Sequence, residues 1–282
     1  MAAGVFADHI VVVTGAGRGI GRAVALGFAA NGAQVVAADI DLEAARRTSA
    51  VIEAHGASGL AARVDVASAA EMEQFAGWVR AEVGVPDVVV NNAGIAIIGS
   101  FLAHTEADWD AIVGVNLLGV ARGCRLFGAQ MADRGNGGHL VNLASCAAWT
   151  PTAPLPAYSA TKAAVRMLSE CLRAELAPAG IGVTAICPGF TSTGIAAAAR
   201  YLGTGGSADP DAVRSAAVAG LARRAFPADK VALAVMRAVL ADKPVVPVNA
   251  EARVTYALSR LSPALLRKLA ASLDKAAQRL GR

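Results

Sequence analysis

The chain has 282 residues, long enough to bury a substantial core as one large domain. Hydrophobic residues make up 55% and charged residues 17%, a balance that excludes a disordered chain, and a net charge of +4 without a basic patch in the first 220 positions argues against a nucleic-acid partner. Four cysteines, Cys124, Cys146, Cys171 and Cys187, lie far apart with no CxxC, which suggests neither zinc nor a disulfide framework and fits a reduced, cytoplasmic setting.

The opening "MAAGVFADHIVVV" lacks a basic leader, and no run of about 18 apolar residues suggests a membrane span. The first strand is "HIVVVTG". It leads into "TGAGRGIG", Thr14 to Gly21, where Gly15, Gly19 and Gly21 allow a tight turn and Arg18 and Ile20 enter the following helix. Glycines at a strand-to-helix junction let backbone approach a pyrophosphate, whose charge meets the helix amides. The second strand, "AQVVAAD", ends at Asp39, about 20 residues on, where a carboxylate can bind the ribose hydroxyls of a dinucleotide. A 2′-phosphate about 5 Å from Asp39 would meet a repulsion of roughly 2 to 6 kcal/mol, so NAD is favoured over NADP. Asp41 is better placed than Asp39 to cap the next helix.

Further apolar runs follow: "DVVVNNAG", "GHLVNLAS", "IGVTAICPG" and, more weakly, "GLAARVDV" and "PVVPV". Runs apolar at every position suit strands buried on both faces. Helix-length stretches at 21–30, 42–55, 69–83, 106–134 and 157–177 alternate with them, which reads as βαβ units in an α/β fold: a Rossmann-type doubly wound parallel sheet in three layers. Residues 1–249 are expected to form a single catalytic domain, with a small-residue segment at 190–226 as a substrate flap, followed by a C-terminal helical extension over 250–282. That extension carries leucines at steps of three or four among seven arginines and lysines, and packing, rather than a membrane surface, is its expected use.

Tyr158 stands four positions before Lys162, one helical turn, with Pro156 marking a helix start. An ammonium about 4.5 Å from a phenol at an effective dielectric of about 20 supplies roughly 3.7 kcal/mol, close to the 4 or so needed to bring a phenol near neutrality. The pair is thus expected to act as an acid/base unit, with Ser145 at a strand end able to hold a substrate oxygen. Asn116, an amide in an apolar helix, needs a partner. His9, His55, His104 and His139 show no ligand spacing and read as structural, so no metal is expected.

With Thr14-Gly15, Gly19 and Gly21, "NNAG" at Asn91 to Gly94, Ser145 thirteen residues before Tyr158, the Tyr158/Lys162 pair and Pro188-Gly189, the sequence resembles the classical short-chain dehydrogenase/reductase family over about residues 8 to 195. The resemblance implies an enzyme acting on CH–OH donors with NAD(P), and catalytic roles for Asn116, Ser145, Tyr158 and Lys162, with Asn116 holding a water linked to Lys162. It implies that Asp65 and Val66 flank the adenine, that Asn92, Ala93 and Gly94 line the cofactor by their backbone, and that Pro188, Gly189, Thr191 and Thr193 surround the nicotinamide. In such families a carboxylate at Asp39 marks NAD, while a basic residue at Arg18 is commoner with NADP; Asp39 is taken to decide. Ile95, Ile97, Ile98, Trp149 and Phe190 make the substrate edge look apolar, so a lipophilic secondary alcohol or ketone, steroid-, terpenol- or retinol-like, is expected. The alternatives are an NADPH-dependent 3-ketoacyl reductase and a non-catalytic NAD-binding sensor. The resemblance also implies a homo-oligomer, tetramer or dimer, built through the helices at 106–134 and 157–177.

Overall fold

The central strands of the main sheet turn alternate side chains to two different cores, which explains why their sequences are largely apolar. On β1 (Ile10–Thr14), Val11 and Val13 join one buried cluster and Val12 the other; on β2 (Gln34–Asp39), Val35 and Ala37 oppose Val36 and Ala38 in the same way. The computed structural model describes residues 4–191, 195–202, 215 and 226–280.

In chain order the next elements are α1 (Gly19–Ala30, between β1 and β2), α2 (Leu42–Ala54), β3 (Gly59–Arg63), α3 (Ala69–Glu82), β4 (Val88–Asn91), β5 (Ile97–Ile98), α4 (Glu106–Val113) and α5 (Gly119–Arg134). There follow β6 (Gly138–Leu143), α6 (Pro156–Leu176), β7 (Ile181–Cys187), α7 (Ile195–Ala198), β8 (Arg200–Tyr201), α8 (Ala228–Leu240), β9 (Val245–Pro247), α9 (Ala250–Leu261) and α10 (Pro263–Leu280). The sheet is parallel throughout in the order β3-β2-β1-β4-β6-β7-β9, and β5 pairs with β8 in a separate two-stranded ribbon. One face is covered by Val24 and Phe28 of α1 and Val231 and Val235 of α8, the other by Met72 and Phe75 of α3, Phe127 and Met131 of α5 and Val165 of α6. Burying each such side chain contributes about 1.5–3 kcal/mol. This is the three-layer, doubly wound arrangement expected from the sequence, including the two weak strands, β3 and β9.

Local signals set the helix starts. Asp41 caps α2 by accepting from the Ala44 N–H at 3.0 Å, Ser68 caps α3, Thr105 and Asp108 form a capping box on α4, and α6 begins with Pro156. The stretch 106–134 is helical throughout, as the sequence suggests, with a π-helical turn at Gly114–Leu118 between α4 and α5. By length and composition Glu106–Arg134 could cross a membrane, but half of its most apolar window is buried, with Val120, Cys124, Phe127 and Met131 packed on the sheet. Its apolar character serves the core.

Candidate active site

The carboxyl ends of β1, β4, β6 and β7 open on one edge of the sheet, where β1 has β2 on one side and β4 on the other. A ligand crevice in a parallel sheet forms at such a switch point. At its centre the turn after β1 holds Gly15 and Gly19 at φ of 64° and 56°, a region that favours glycine. A Cβ on Gly21 would lie 2.1 Å from the Gly15 carbonyl oxygen, and one on Gly17 would lie 2.8 Å from Oδ2 of Asp39. The amino end of α1, including Ile20, is thereby pressed against the turn.

Hydrogen bonds stitch this turn to "NNAG". The Asn92 and Ala93 N–H groups donate to the Thr14 hydroxyl at 3.0 and 3.2 Å, while the Asn92 side-chain amide donates to the carbonyls of Thr14 and Gly15 at 2.9 and 3.1 Å. Thr14 therefore organises the crevice, a role the sequence reading missed; its buried hydroxyl at a strand end was the available signal. Asp39, 7% exposed, accepts from the Gly17 N–H at 2.8 Å and the Asp41 N–H at 3.0 Å. Its carboxylate is fixed beside the turn and is not the cap of α2. Arg18 extends towards Asp41, 4.0 Å away, in an exposed contact worth at most about 1 kcal/mol. Further along, Asp65 Oδ1 accepts from the Ala67 N–H at 2.9 Å, closing the bend after β3, and Val66 is buried against Gly119.

The four polar residues expected to do chemistry meet at the ends of β6 and α6. Lys162, 4% exposed, donates from Nζ to the Leu143 carbonyl at 2.7 Å and lies 5.6 Å from the centre of the Tyr158 ring. Ser145 hydrogen-bonds the Tyr158 side chain and accepts from the Ala147 N–H at 3.2 Å. Asn116 sits fully buried in the π-helical turn. Its Oδ1 accepts from the Ile95 N–H at 2.8 Å, and its Nδ2 donates to the Ile95 carbonyl at 3.0 Å and to the Thr161 hydroxyl at 3.3 Å. The amide thus clamps the residue after Gly94 against α6, and a Cβ on Gly94 would come 3.3 Å from Asn116 Oδ1 and 3.6 Å from Lys162 Nζ.

Protonation differs from the sequence expectation of a phenol acidified by its neighbour. Burial pushes the Tyr158 phenol up to about 12, partly opposed by the bond to Ser145, and burial pulls the Lys162 ammonium down to about 8. Removing both groups from water disfavours the charged form of each, which raises the phenol and lowers the ammonium. At neutral pH the pair is a neutral phenol beside an ammonium.

Around this core, the Pro188 carbonyl accepts from the Cys146 N–H at 2.8 Å, and Gly189 lies so close to Asn249, the cap of α9, that a Cβ would stand 2.5 Å from its Oδ1. Thr191 is buried and donates to the Gly189 carbonyl at 3.1 Å. Thr193 and most of the 190–226 segment lie outside the described residues.

The apolar rim is smaller than the sequence suggests. Ile97 is 2% exposed among Ile112 and Ala157, and the Trp149 indole donates to the Thr255 hydroxyl at 3.0 Å with its ring 5.0 Å from Tyr256. Both serve packing, whereas Ile98 is partly accessible and Phe190 is 41% exposed. A second feature missed from sequence is the ion pair between Arg200 of β8 and the buried Asp108 of α4, 2.6 Å apart, which pins the β5–β8 ribbon. Arg200→Ala is expected to raise KM about three- to tenfold with kcat within about twofold of the parent, measured by steady-state kinetics. The histidines are structural: His9, His55 and His104 bond nearby carbonyls, and His139 is buried on Thr184 at 2.8 Å.

Comparison with known proteins agrees with this geometry. The short chain dehydrogenase profile matches residues 9–201. A probable oxidoreductase, EphD of Mycobacterium tuberculosis, is 46% identical over 268 residues, which cover 95% of this chain and 45% of that protein; the chain thus spans under half the length of this relative. Among solved structures, a short-chain dehydrogenase/reductase from Burkholderia phymatum in complex with NAD is 32% identical with a TM-score of 0.80, covering 91% of this chain and 93% of that one. A gluconate 5-dehydrogenase from Burkholderia cenocepacia in complex with NADP and tartrate is 27% identical with a TM-score of 0.76, covering 88% and 95%. With the profile matched over most of its length and its sheet shared with these structures, the chain belongs to the short-chain dehydrogenase/reductase family of oxidoreductases.

Proposed function

We propose that the chain is an NAD-dependent dehydrogenase/reductase that transfers a hydride between nicotinamide and a lipophilic secondary alcohol or ketone, with Tyr158 as the acid/base. The observation that carries this reading is the meeting of Ser145, Tyr158 and Lys162 at the strand edge that also holds the glycine turn. The turn fits a dinucleotide: at Gly15, Gly17 and Gly21 a Cβ would lie under 3.0 Å from neighbouring atoms, so backbone can meet a pyrophosphate closely. Gly15, Arg18, Gly19, Ile20 and Gly21 would hold the phosphates, Asp39 the adenosine ribose, Asp65 and Val66 the adenine, and Asn92 to Gly94 with Pro188, Gly189, Thr191 and Thr193 the nicotinamide end. The bound dinucleotide would supply the hydride carrier and, when oxidised, a positive charge beside the phenol.

In reduction, Tyr158 gives its phenolic proton to the substrate oxygen while Ser145 donates a hydrogen bond that holds that oxygen in place. In oxidation, Tyr158 must first lose its proton, and the phenolate oxygen then receives the proton leaving the alcohol. Lys162 favours the phenolate by charge, and Asn116 positions Thr161 and Ile95 around it. We assign catalysis to residues 1–249 and a packing role to 250–282. Four free cysteines support work in the cytoplasm, and Leu118 and Met167, 43% and 51% exposed on the two long helices, support a homo-oligomer.

The test is NADH absorbance against a panel of steroids, terpenols and small alcohols with their ketones. Turnover favouring the bulky apolar members supports the reading; none with any member supports the nucleotide-binding sensor instead. The cofactor has its own test. Asp39→Asn keeps an acceptor for the Gly17 N–H but removes the negative charge, and is expected to shift the NADP-to-NAD ratio of kcat/KM about 30-fold towards NADP, the water-like end of the repulsion. A parent that already prefers NADPH, with 3-ketoacyl substrates, would replace this reading with the ketoacyl reductase.

A further inference from the structure

Away from the strand ends, a cavity of about 280 Å³ lies between the turn after Ser145, the flank of α6, and the last two helices. Three guanidinium groups line it, Arg166 of α6, Arg260 of α9 and Arg267 of α10, and among the described residues no carboxylate does. Arg166 is mostly buried and pairs with Glu170 through Nη1, while its buried Nε has no partner among the described residues. Pro263, the first residue of the 18-residue α10, stands on the same wall and adds the partial positive charge of a helix start. Apart from Ser259, the remaining wall is apolar or aromatic, with the rings of Trp149 and Tyr256 tilted together and Leu266 beside them.

With Glu170 offsetting Arg166, the space keeps a net positive charge from Arg260 and Arg267, which an anion lying between them would offset. An apolar wall facing them suits a molecule with both characters. We propose that this cavity binds an amphiphilic anion, an apolar body ending in a carboxylate or a phosphate, with the head among Arg166, Arg260 and Arg267 and the body against Trp149 and Leu266. The site is separate from the proposed reaction and does not depend on it. It nevertheless touches the reaction site's frame, because Trp149 closes the short helical turn whose first cap is Ser145.

The experiment is a tryptophan-fluorescence titration of the full chain with octanoate, octyl phosphate and neutral 1-octanol. Saturable quenching by one or both anions is expected, the tighter anion identifying the head group, with octanol at least about tenfold weaker. The Trp149→Phe variant should lose the response. The double variant Arg260→Ala/Arg267→Ala, which alters only exposed side chains, should weaken the anion by about tenfold or more and leave turnover of a small neutral alcohol unchanged. Equal binding of octanol and octanoate, undiminished anion binding in the double variant, or no anion binding up to about 1 mM would each overturn the proposal.

Discussion

Tyr158→Phe is expected to lower kcat/KM by about 10²- to 10⁴-fold, in both directions, while dinucleotide affinity stays within about threefold of the parent. The substitution keeps the ring, and so its packing, and removes only the group that can exchange a proton. Ser145 retains the Ala147 N–H as a partner, so no buried hydroxyl is stranded. The phenol stands at about 12 in the protein alone, and bringing it to neutrality takes about 7 kcal/mol. Taking the ring-centre distance of 5.6 Å and an effective dielectric near 20, the Lys162 cation supplies about 3 kcal/mol. The rest must come from bound oxidised cofactor, because the bond to Ser145 is already included in the value of about 12. Two measurements follow. The tyrosinate absorbance band of Tyr158 should be absent at pH 8 without cofactor, and Ser145→Ala should move the alkaline rise of alcohol oxidation to higher pH, because the bond that lowers the phenol is lost. A Phe variant keeping a tenth or more of parent activity would remove Tyr158 from the chemistry.

How far the sequence could be read follows from which contacts are local. The strands announce themselves because a parallel sheet covered on both faces makes every position apolar, as in Val11 to Val13 and Val88 to Val90. Tyr158 and Lys162 share one helix, so their spacing alone places them together. The π-helical turn was invisible, since one extra residue per turn barely disturbs the apolar period of a long helix, yet that turn is where Asn116 reaches Ile95 and Thr161.

Contacts between distant segments left no trace either. Asp108 is legible as part of a capping box, but nothing local points it at Arg200, and nothing near Trp149 announces Thr255. Ile97 lies on a strand of only two residues, too short for alternation to say which side faces the cleft. The protonation balance was misjudged for the same reason. The charge of Lys162 was countable from sequence, whereas the burial that opposes it depends on Leu143, Gly94 and the sheet above it.

That burial leads to a second large effect. Lys162→Met is expected to reduce turnover about 10²-fold or more, the rate equivalent of losing about 3 kcal/mol of charge stabilisation, and at pH 7 to make the protein more stable. Lys162 is 4% exposed and its ammonium is held at about 8 against an ordinary 10.5. The unfolded chain therefore binds more protons between those two values, and parent stability rises with pH across that window. Below pH 8 the whole cost of burying the charge is present, about 3 kcal/mol, offset by roughly 1 kcal/mol for the bond to the Leu143 carbonyl. Methionine fills the same space without charge, so a net gain of about 1–2 kcal/mol and a Tm higher by roughly 2–8 °C are expected. The distinguishing sign is the pH dependence: the stability gap between variant and parent should narrow steadily from pH 8 to 10.5 as the parent lysine sheds its proton. A methionine variant less stable than the parent at pH 7, or a gap that widens with pH, would mean that Lys162 is kept for the fold. The expected pattern, a more stable but inactive protein, would mean that its charge is kept at the expense of the fold for the proton chemistry of Tyr158.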